Sequence, residues 1–249
     1  MSLKNQNILV TGSSKGIGLA IAKNLINENA NVGLHYNTGK EVVNNMTAMH
    51  GNCKEFQADL GSKEQIIQLM EDSLKHYKRL DTIILNAGVF IAHPMEASLD
   101  DWYEVWKKTL DINLNAIGLI TKIALEHFEK QGQGRLIYMG SRAAFRGETA
   151  SYLAYAASKG GLTSLARTVA RSFGKKNIKA FVIAPGFTKT AMAEEFINTY
   201  GAEKLLSELA LNELTTPEDI APLISLLCSG KLDHATGTTI DINGGSYIH

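Results

Sequence analysis

The sequence predicts an α/β protein whose mostly parallel sheet is covered by helices on both faces. Short apolar runs rich in β-branched residues alternate with segments of helical spacing along the whole chain, a pattern typical of βαβ units. A glycine-rich turn, T-G-S-S-K-G-I-G, joins the first apolar run to the first helical segment. The 249 residues are 45% apolar, which is enough for a sizeable core. Because no linker or repeat interrupts the alternation, we expect one domain over residues 1–249.

Seven segments are predicted as strands from their β-branched and apolar content. They are Asn7–Val10, Asn31–His35, Lys54–Gln57, Thr82–Leu85, Arg135–Met139, Lys179–Ala184 and Thr239–Ile242. Helix starts are marked by a capping box from Ser62 to Gln65, and by Thr216 as a cap before Pro217 at the first helical position. Residues 188–215 are the least regular part, and we expect them to form a lid over a substrate pocket or a plain surface excursion.

The composition excludes several classes of protein. With 25 basic and 25 acidic side chains the net charge is zero, which argues against a dedicated nucleic-acid binder. The apolar content excludes intrinsic disorder. Cys53 and Cys228 lie far apart without a CxxC pair, so we expect free thiols in a reducing compartment. The sequence has no apolar run of membrane-spanning length and no signal-peptide core. We therefore expect a cytoplasmic protein without membrane partners, and we predict no metal site.

The glycine-rich turn predicts a site for the phosphates of a dinucleotide. Gly12, Gly16 and Gly18 follow the first strand directly and lead into a helix. Glycines allow the backbone to approach a pyrophosphate closely, and the helix N-terminus offers free N–H groups and a positive dipole end. A glycine cluster alone also occurs in ordinary turns. Its position after the first strand of an alternating chain favours the cofactor site.

The end of the second strand bears on the choice of cofactor. An acidic residue here would bind the ribose 2′-hydroxyl of NAD, but this strand ends in His35-Tyr36-Asn37. Lys15 adds a cation within the glycine-rich turn. The pattern therefore favours NADP(H) over NAD(H), unless Lys15 is simply a solvated loop charge.

A phenol and an amine lie four residues apart in the predicted helix Ser151–Phe173. Tyr155 and Lys159 therefore share one helix face. A free tyrosine has a pKa near 10 and is a poor base at neutral pH. A neighbouring ammonium, together with the positive ring of an oxidised nicotinamide, can stabilise the phenolate in a partly dry cleft. The spacing alone is also that of any ordinary tyrosine and lysine on a helix face.

The ordered set of motifs resembles the short-chain dehydrogenase/reductase family. T-G-x-x-x-G-x-G spans Thr11 to Gly18, N-A-G is Asn86-Ala87-Gly88, and the tyrosine and lysine pair completes Y-x-x-x-K. The remaining matches are Asp59-Leu60 after the third strand, Asn113 before Leu114, Ser141 after the fifth strand, and Pro185-Gly186 with Thr190 after the sixth. Within the family, the chain is similar to the 3-oxoacyl-[acyl-carrier-protein] reductases and to glucose dehydrogenase-like enzymes.

The resemblance implies a doubly wound Rossmann-type sheet of strand order 3-2-1-4-5-6-7 and hydride transfer between nicotinamide and a carbonyl or secondary alcohol. Tyr155 is then the general acid/base, Lys159 lowers its pKa and binds the nicotinamide ribose, Ser141 orients the substrate oxygen, and Asn113 holds a water of a proton relay. The implied cofactor-binding residues are Gly12, Ser14, Lys15, Gly16, Ile17, Gly18, Tyr36, Asn37, Asp59, Leu60, Asn86, Ala87, Gly88, Tyr155, Lys159, Pro185, Gly186, Thr188 and Thr190.

Four questions stay open at this point. Arg142 and Arg146 flank the loop after Ser141 and either meet an anionic substrate, pair with Glu148, or contact another subunit. The acyl-carrier reading is weakened because Gly132 replaces a basic residue typical of those enzymes. A non-catalytic NADP-binding sensor or scaffold is the alternative of another class. The small residues of the tyrosine helix let another helix approach closely. The resemblance implies that this helix pairs with its symmetry mate in a homotetramer or homodimer, unless a helix of the same chain packs on the small residues.

Overall fold

Seven parallel strands form one sheet, as the sequence predicts. The computed structural model describes residues 2–190 and 202–248. The strand order is 3-2-1-4-5-6-7, and every neighbouring pair is parallel. The strands are β1 (Asn7–Val10), β2 (Asn31–Tyr36), β3 (Cys53–Gln57), β4 (Thr82–Leu85), β5 (Gly134–Met139), β6 (Ile178–Pro185) and β7 (Thr239–Ile242).

Helices connect the strands and cover both faces of the sheet. They are α1 (Gly16–Asn27), α2 (Lys40–Met49), α3 (Lys63–Tyr77), α4 (Leu99–Leu110), α5 (Ala116–Gln131), α6 (Ala143–Arg146), α7 (Leu153–Phe173), α8 (Ala202–Ser207) and α9 (Pro217–Cys228). A π-helical turn, Asp111–Asn115, joins α4 to α5. In the described parts of the chain, no helix is long and apolar enough to cross a membrane, and no group of three or more His, Cys, Asp or Glu residues is placed to hold a metal ion.

The core has two halves, one on each face of the sheet. Leu9 of β1 packs with the apolar residues of α3, α5 and α7. Its neighbours Ile8 and Val10 point the other way, into a cluster with α1, α2 and α9. All three side chains are fully buried. Because successive residues of a strand face opposite sides, a strand covered on both faces reads as the continuous apolar run that the sequence shows.

The starts of two helices, α7 and α3, differ from the predictions. The helix that carries Tyr155 begins at Leu153, because residues Ala150–Tyr152 form a separate 3₁₀ turn. The capping box at α3 is only half formed. Ser62 Oγ accepts the N–H of Gln65 at 3.3 Å, but Gln65 Oε1 accepts the N–H of Asp59 at 2.8 Å. The reciprocal bond to Ser62 is replaced because Gln65 closes the turn after β3.

The cap of α9 is formed as predicted, and the expected lid is described only at its ends. Thr216 N–H donates to the Asp219 carboxylate at 2.7 Å, and Pro217 is the first residue of the helix. Of the predicted lid at residues 188–215, residues 191–201 lie outside the described residues. At its two ends, Thr188 and Thr215 form a parallel bridge beside the sheet.

The carboxyl ends of the strands define where a ligand can bind. Because all strands are parallel, the segments after β1, β4, β5 and β6 meet at one edge of the sheet. The chain runs outward from β1 through β2 to β3 and then crosses to β4 on the other side of β1. In open α/β sheets, ligands bind at such a switch point.

Candidate active site

The glycine-rich turn after β1, Thr11–Gly18, is shaped as a phosphate site requires and is called the phosphate turn below. Gly12 has φ of +68°, a left-handed conformation that favours glycine. A Cβ on Gly18 would lie 2.1 Å from the carbonyl oxygen of Gly12, so α1 can approach the turn only with glycine there. Helix α1 starts after Lys15 without a side-chain cap and without an acidic residue in its first turn. Uncapped N–H groups and an unopposed positive dipole end fit a pyrophosphate.

The N-A-G segment after β4 holds this turn in place. Thr11 Oγ1 accepts the N–H groups of Asn86 and Ala87 at 2.9 and 3.0 Å. The Asn86 amide donates to the carbonyl oxygens of Thr11 and Gly12 at 2.9 and 3.2 Å. Asn86 is therefore a residue that shapes the phosphate turn, with its side-chain nitrogen already used inside the protein.

The predicted adenosine side is formed by the ends of β2 and β3. Tyr36 and Leu60 are buried, while Asn37 is exposed. Asp59 Oδ1 accepts the N–H of Gly61 at 2.8 Å. Gly39 packs its α-carbon against Ser14, since a Cβ there would lie 2.9 Å from the Ser14 Cβ. The end of β2 therefore lies next to the phosphate turn, where the adenosine end of a dinucleotide is expected.

The P-G segment after β6 brings two predicted threonines to the same region. The N–H of Gly186 donates to the carbonyl oxygen of Ile242 at 3.1 Å, which ties the segment to β7. Thr190 Oγ1 donates to the carbonyl oxygen of Thr188 at 3.2 Å. A Cβ on Gly16 would lie 3.3 Å from Thr190 Cγ2, so the segment reaches the phosphate turn.

Tyr155, Lys159 and Ser141 lie together between α7 and the end of β5. Ser141 forms a side-chain hydrogen bond with Tyr155. The Lys159 ammonium lies 5.6 Å from the centre of the Tyr155 ring and donates to the carbonyl oxygen of Met139 at 2.8 Å. Lys159 and Ser141 are buried, with 5% and 8% exposure. The three side chains that the sequence predicts as a catalytic group therefore share one cleft.

Asn113 joins this group through the fold of the π-helical turn. Its amide pairs with the backbone of Val89, accepting at 2.8 Å and donating at 2.9 Å. The same amide donates to Ser158 Oγ at 3.2 Å, and Ser158 Oγ donates to the carbonyl oxygen of Tyr155 at 2.7 Å. Ser158 is absent from the predicted site residues. Only its position three residues after Tyr155 could have suggested it.

The pKa of Tyr155 in the protein alone differs from the expectation. Desolvation raises the pKa of Tyr155 to about 12, against a smaller opposing effect of the hydrogen bond with Ser141. Burial lowers the pKa of Lys159 to about 8. The expected lowering of the Tyr155 pKa is therefore not found in the protein alone. The physical reason is that desolvation disfavours the phenolate, and the positive nicotinamide in the predicted scheme belongs to the bound cofactor.

An apolar wall flanks the Tyr155 ring, and sequence reasoning did not identify it. Phe90 stacks on Tyr152 with centroids 3.8 Å apart and meets Tyr155 edge-on at 4.7 Å. Phe187, Leu205 and Leu214 belong to the same cluster. These residues come from the segments after β4, β5 and β6, so their only common sequence signal is that each follows a strand that ends at the site edge.

The two arginines after Ser141 are paired within the chain. Arg142 Nη2 and Arg146 Nη1 both donate to Glu208 Oε2 at 3.0 Å. The Arg142 guanidinium is 3% exposed and lies 5.0 Å from the centre of the Phe187 ring. The ion-pair partner of both arginines is thus Glu208 and not Glu148. Glu208 directly follows α8, and the chain at that point lies over the loop that follows Ser141.

Comparison with known proteins agrees with this geometry. Residues 12–247 match a protein family described as Enoyl-(Acyl carrier protein) reductase. The human protein Dehydrogenase/reductase SDR family member 4 is 32% identical over 249 residues, covering 98% of this chain and 88% of that protein. The 3-oxoacyl-[acyl-carrier-protein] reductase FabG of Pseudomonas aeruginosa is 31% identical over 252 residues, covering 100% of both.

A solved structure is similar over the same extent. It is a short chain dehydrogenase from Burkholderia cenocepacia J2315 in complex with NADP, with a TM-score of 0.88, 29% identity and 99% coverage of each chain. The fold, the motif positions and the relatives agree, which confirms the resemblance seen in the sequence. The chain belongs to the short-chain dehydrogenase/reductase family and is a nucleotide-binding oxidoreductase of alcohol or carbonyl groups.

Proposed function

We propose that the protein is an NADP(H)-dependent oxidoreductase in which Tyr155 is the general acid/base. The observation that carries the proposal is the cleft shared by Tyr155, Ser141 and Lys159, with Lys159 Nζ 5.6 Å from the tyrosine ring. Bound nicotinamide supplies or accepts the hydride at the substrate carbon. The phenol, the hydroxyl and the ammonium of this chain then supply proton transfer, orientation and charge.

Tyr155 moves the proton of the substrate oxygen. With its pKa raised to about 12, the side chain is a phenol at neutral pH. A phenol can donate its proton to a carbonyl oxygen during reduction. Ser141, which forms a hydrogen bond with Tyr155, orients the same oxygen. Removing a proton from an alcohol needs the phenolate, which the nearby ammonium and an oxidised nicotinamide stabilise.

Lys159 and Asn113 support the proton transfer. Lys159 is buried between β5 and α7, and its pKa of about 8 lets it hold or release a proton near neutral pH. In the proposed roles, Lys159 binds the nicotinamide ribose and Asn113 holds a water that links Lys159 to solvent. The Asn113 amide is already bonded to Val89 and Ser158, which leaves the backbone of the π-helical turn for that water.

NADP(H) is the preferred cofactor in this proposal. Lys15 lies within the phosphate turn, and the β2 end at Tyr36 and Asn37 has no carboxylate to repel a 2′-phosphate. The similar Burkholderia structure in complex with NADP supports the choice. Titration of the protein with NADPH and with NADH tests it. We expect tighter binding of NADPH, and equal dissociation constants would contradict the preference.

Replacement of Tyr155 by phenylalanine tests the catalytic assignment. Tyr155→Phe removes the hydroxyl but keeps the ring against Phe90. Loss of a general acid/base lowers turnover by about 10²–10⁴-fold. The NADPH dissociation constant should change by less than about twofold, well below the tenfold change that a loss of about 1.4 kcal/mol of binding free energy would cause. Tyr152→Phe is the matched control, since Tyr152 also packs on Phe90. Retained turnover in Tyr155→Phe would refute the assignment.

The substrate class is identified by measuring turnover with a panel of an acetoacetyl thioester, sugars and steroids.

A 3-oxoacyl-[acyl-carrier-protein] reductase is the second candidate function. The Pseudomonas aeruginosa reductase of that name matches this chain over its whole length. Against it, Gly132 stands where those enzymes tend to carry a basic residue, and it ends α5 with φ of +83°. A basic side chain there would be strained. Turnover of an acetoacetyl group on acyl carrier protein well above turnover of the free thioester would favour this function.

A homotetramer or homodimer is the proposed assembly, and helix α7 is its proposed interface. Ala157 and Ser164 are exposed, and among the described residues nothing lies within 4 Å of a Cβ placed on Gly160. Gly161 is different, because Leu114 of the same chain packs on it. The face with Ala157 and Gly160 therefore remains for a partner helix. A monomer in light scattering at micromolar concentration would contradict this assembly.

Two further parts of the proposal concern organisation and location. We treat residues 1–249 as a single dinucleotide-binding domain, because all seven strands belong to one sheet. Cys53 and Cys228 are free thiols, which supports a reducing, cytoplasmic location. Limited proteolysis that released two stable fragments would contradict the single domain.

A further inference from the structure

A buried histidine lies between the phosphate turn and the end of β3, outside every predicted set of site residues. His35 is the second-last residue of β2 and is 2% exposed. In a histidine so deeply buried, both ring nitrogens need hydrogen-bond partners. The partners of these two nitrogens show what the side chain holds together.

The hydrogen bonds of His35 define one neutral tautomer. Its Nδ1 lies 3.0 Å from the backbone nitrogen of Gly12, whose N–H can only donate. Nδ1 is therefore the acceptor and carries no proton. The proton must reside on Nε2, which donates to the carbonyl oxygen of Ala58 at 3.0 Å. Burial lowers the pKa of His35 to about 4 despite the nearby Asp59 carboxylate, so this neutral form persists at neutral pH.

The backbone of His35 binds the same turn. Its carbonyl oxygen accepts the N–H of Ser13 at 2.8 Å and the Ser13 hydroxyl at 3.0 Å. On the other side, the Asn86 amide holds the carbonyl oxygen of Gly12 at 3.2 Å. Gly12, in its left-handed conformation, is thus fixed by His35 through its N–H and by Asn86 through its C=O.

The two strand ends that His35 joins are those of the cofactor site. Gly12 lies in the turn proposed to bind the pyrophosphate. Ala58 precedes Asp59 and Leu60, which the family resemblance implies as cofactor-binding residues on the adenosine side. One imidazole therefore sets the spacing between the pyrophosphate site and the adenine site. A dinucleotide spans both, so its affinity depends on that spacing being held before binding.

We propose that His35 is a positioning residue for the dinucleotide, which holds the Gly12 turn and the Ala58 strand end in the arrangement that binds it. The proposal rests on the cofactor site given under Proposed function. It assigns to His35 no contact with the cofactor and no part in proton transfer. Loss of the imidazole should therefore weaken cofactor binding while leaving turnover with saturating cofactor unchanged.

Three substitutions separate the two hydrogen bonds. His35→Leu fills the buried space without either bond. His35→Asn offers an oxygen near the former Nδ1 and can still accept from Gly12, whereas His35→Gln offers an amide near the former Nε2 and can still donate to Ala58. NADPH binding is measured by fluorescence titration, and turnover is measured at saturating NADPH.

We expect His35→Leu to raise the NADPH dissociation constant by about tenfold, the factor for a loss of about 1.4 kcal/mol. Turnover at saturation should change less than about twofold, because transition-state contacts are kept. His35→Asn should recover most of the affinity, and His35→Gln should recover less. His127→Leu is the matched control. It also removes an imidazole that accepts a backbone N–H, from Leu80 at 3.3 Å, and it should leave the dissociation constant unchanged.

The outcomes distinguish this proposal from the proposed function. If the unchanged protein binds neither NADPH nor NADH, the proposed function fails and His35 has no site to position. If the protein binds NADPH and a folded His35→Leu binds it equally well, only the role of His35 is overturned. If His35→Leu does not fold, His35→Asn and His35→Gln decide the question, and affinities of both variants equal to that of the wild-type protein would overturn the role.

Discussion

The side-chain amide of Asn113 donates to the hydroxyl of Ser158 at 3.2 Å, and that hydroxyl donates to the carbonyl oxygen of Tyr155. The π-helical turn is thereby bonded to the turn of α7 that carries the proposed general acid/base. Asn113 also satisfies both backbone groups of Val89. The position of Tyr155 thus depends on a residue 42 positions earlier in the chain.

Asn113→Ala should lower the free energy of unfolding by about 3 kcal/mol, because it leaves the half-buried backbone groups of Val89 and the buried hydroxyl of Ser158 without their partner. Asn115→Ala is the matched control in the same turn. Its amide donates to the Asp111 carboxylate at 2.9 Å at an exposed position, and its loss should change the free energy by less than about 0.5 kcal/mol. Urea unfolding measures both variants. Equal effects would show that the Asn113 contacts do not stabilise the turn.

Gly18→Ala should disrupt the phosphate turn. The added Cβ would lie 2.1 Å from the carbonyl oxygen of Gly12 and 2.5 Å from Asn86 Nδ2. Such overpacking costs about 1–3 kcal/mol of stability, and the displaced turn should lower NADPH affinity by about tenfold or more. Unfolding by urea and NADPH titration give the two quantities.

Gly118→Ala is the control for that prediction, since Gly118 is also a helical glycine. Among the described residues, nothing lies within 4 Å of a Cβ at Gly118. Alanine is the better helix former by about 1 kcal/mol, so this variant should be slightly stabilised and bind NADPH normally. Normal binding by Gly18→Ala as well would contradict the close packing of α1 on the turn.

The strands were predictable because burial on both faces leaves a continuous apolar run. The predicted first, fourth and seventh strands coincide with β1, β4 and β7. The second, third and fifth differ by one residue at one end, and the sixth differs by one residue at each end. The order of the strands could not be read from periodicity. It followed from the resemblance carried by the motifs, which the sheet confirms.

Contacts between distant segments were not predictable from the sequence. The bond between Asn113 and Ser158 joins residues 45 apart, and that between Arg142 and Glu208 joins residues 66 apart. The π-helical turn at Asp111–Asn115 leaves no periodic signal because it is only five residues long. His35 read as part of an apolar strand end, and its two bonds exist only once β1, β2 and β3 lie side by side.

Lys159→Met should stabilise the cofactor-free protein at pH 7 while abolishing turnover. The fall of the Lys159 pKa from 10.5 to about 8 means that burial of the ammonium opposes folding by about 3 kcal/mol. Methionine fills similar space, but Met139 loses its hydrogen-bond donor at a cost of about 1 kcal/mol. The free energy of unfolding should therefore rise by about 2 kcal/mol in urea unfolding, because the burial cost that is removed exceeds the cost of the lost hydrogen bond.

The pH dependence of the unfolding free energy tests the same prediction in a second way. As the pH rises from about 8 towards 10.5, the folded protein releases the Lys159 proton before the unfolded chain does. The wild-type protein then regains stability, so its difference from Lys159→Met should shrink. Lys175→Met, at an exposed lysine after α7, should change the unfolding free energy by less than about 0.5 kcal/mol at either pH. A destabilised Lys159→Met would show that the ammonium is held favourably.

His35 should make the folded protein less stable in mild acid. In the unfolded chain the imidazole is protonated below its ordinary pKa of 6.5, whereas burial lowers the folded value to about 4. Between these values the unfolded state binds more protons, so stability falls as the pH falls, by about 3 kcal/mol in all. His35→Asn has no such proton to bind. The difference in unfolding free energy between wild type and His35→Asn should therefore be largest at pH 7 and decline steadily to pH 4. Parallel curves for the two proteins over this range would show that His35 is protonated in the folded state as readily as in the unfolded chain.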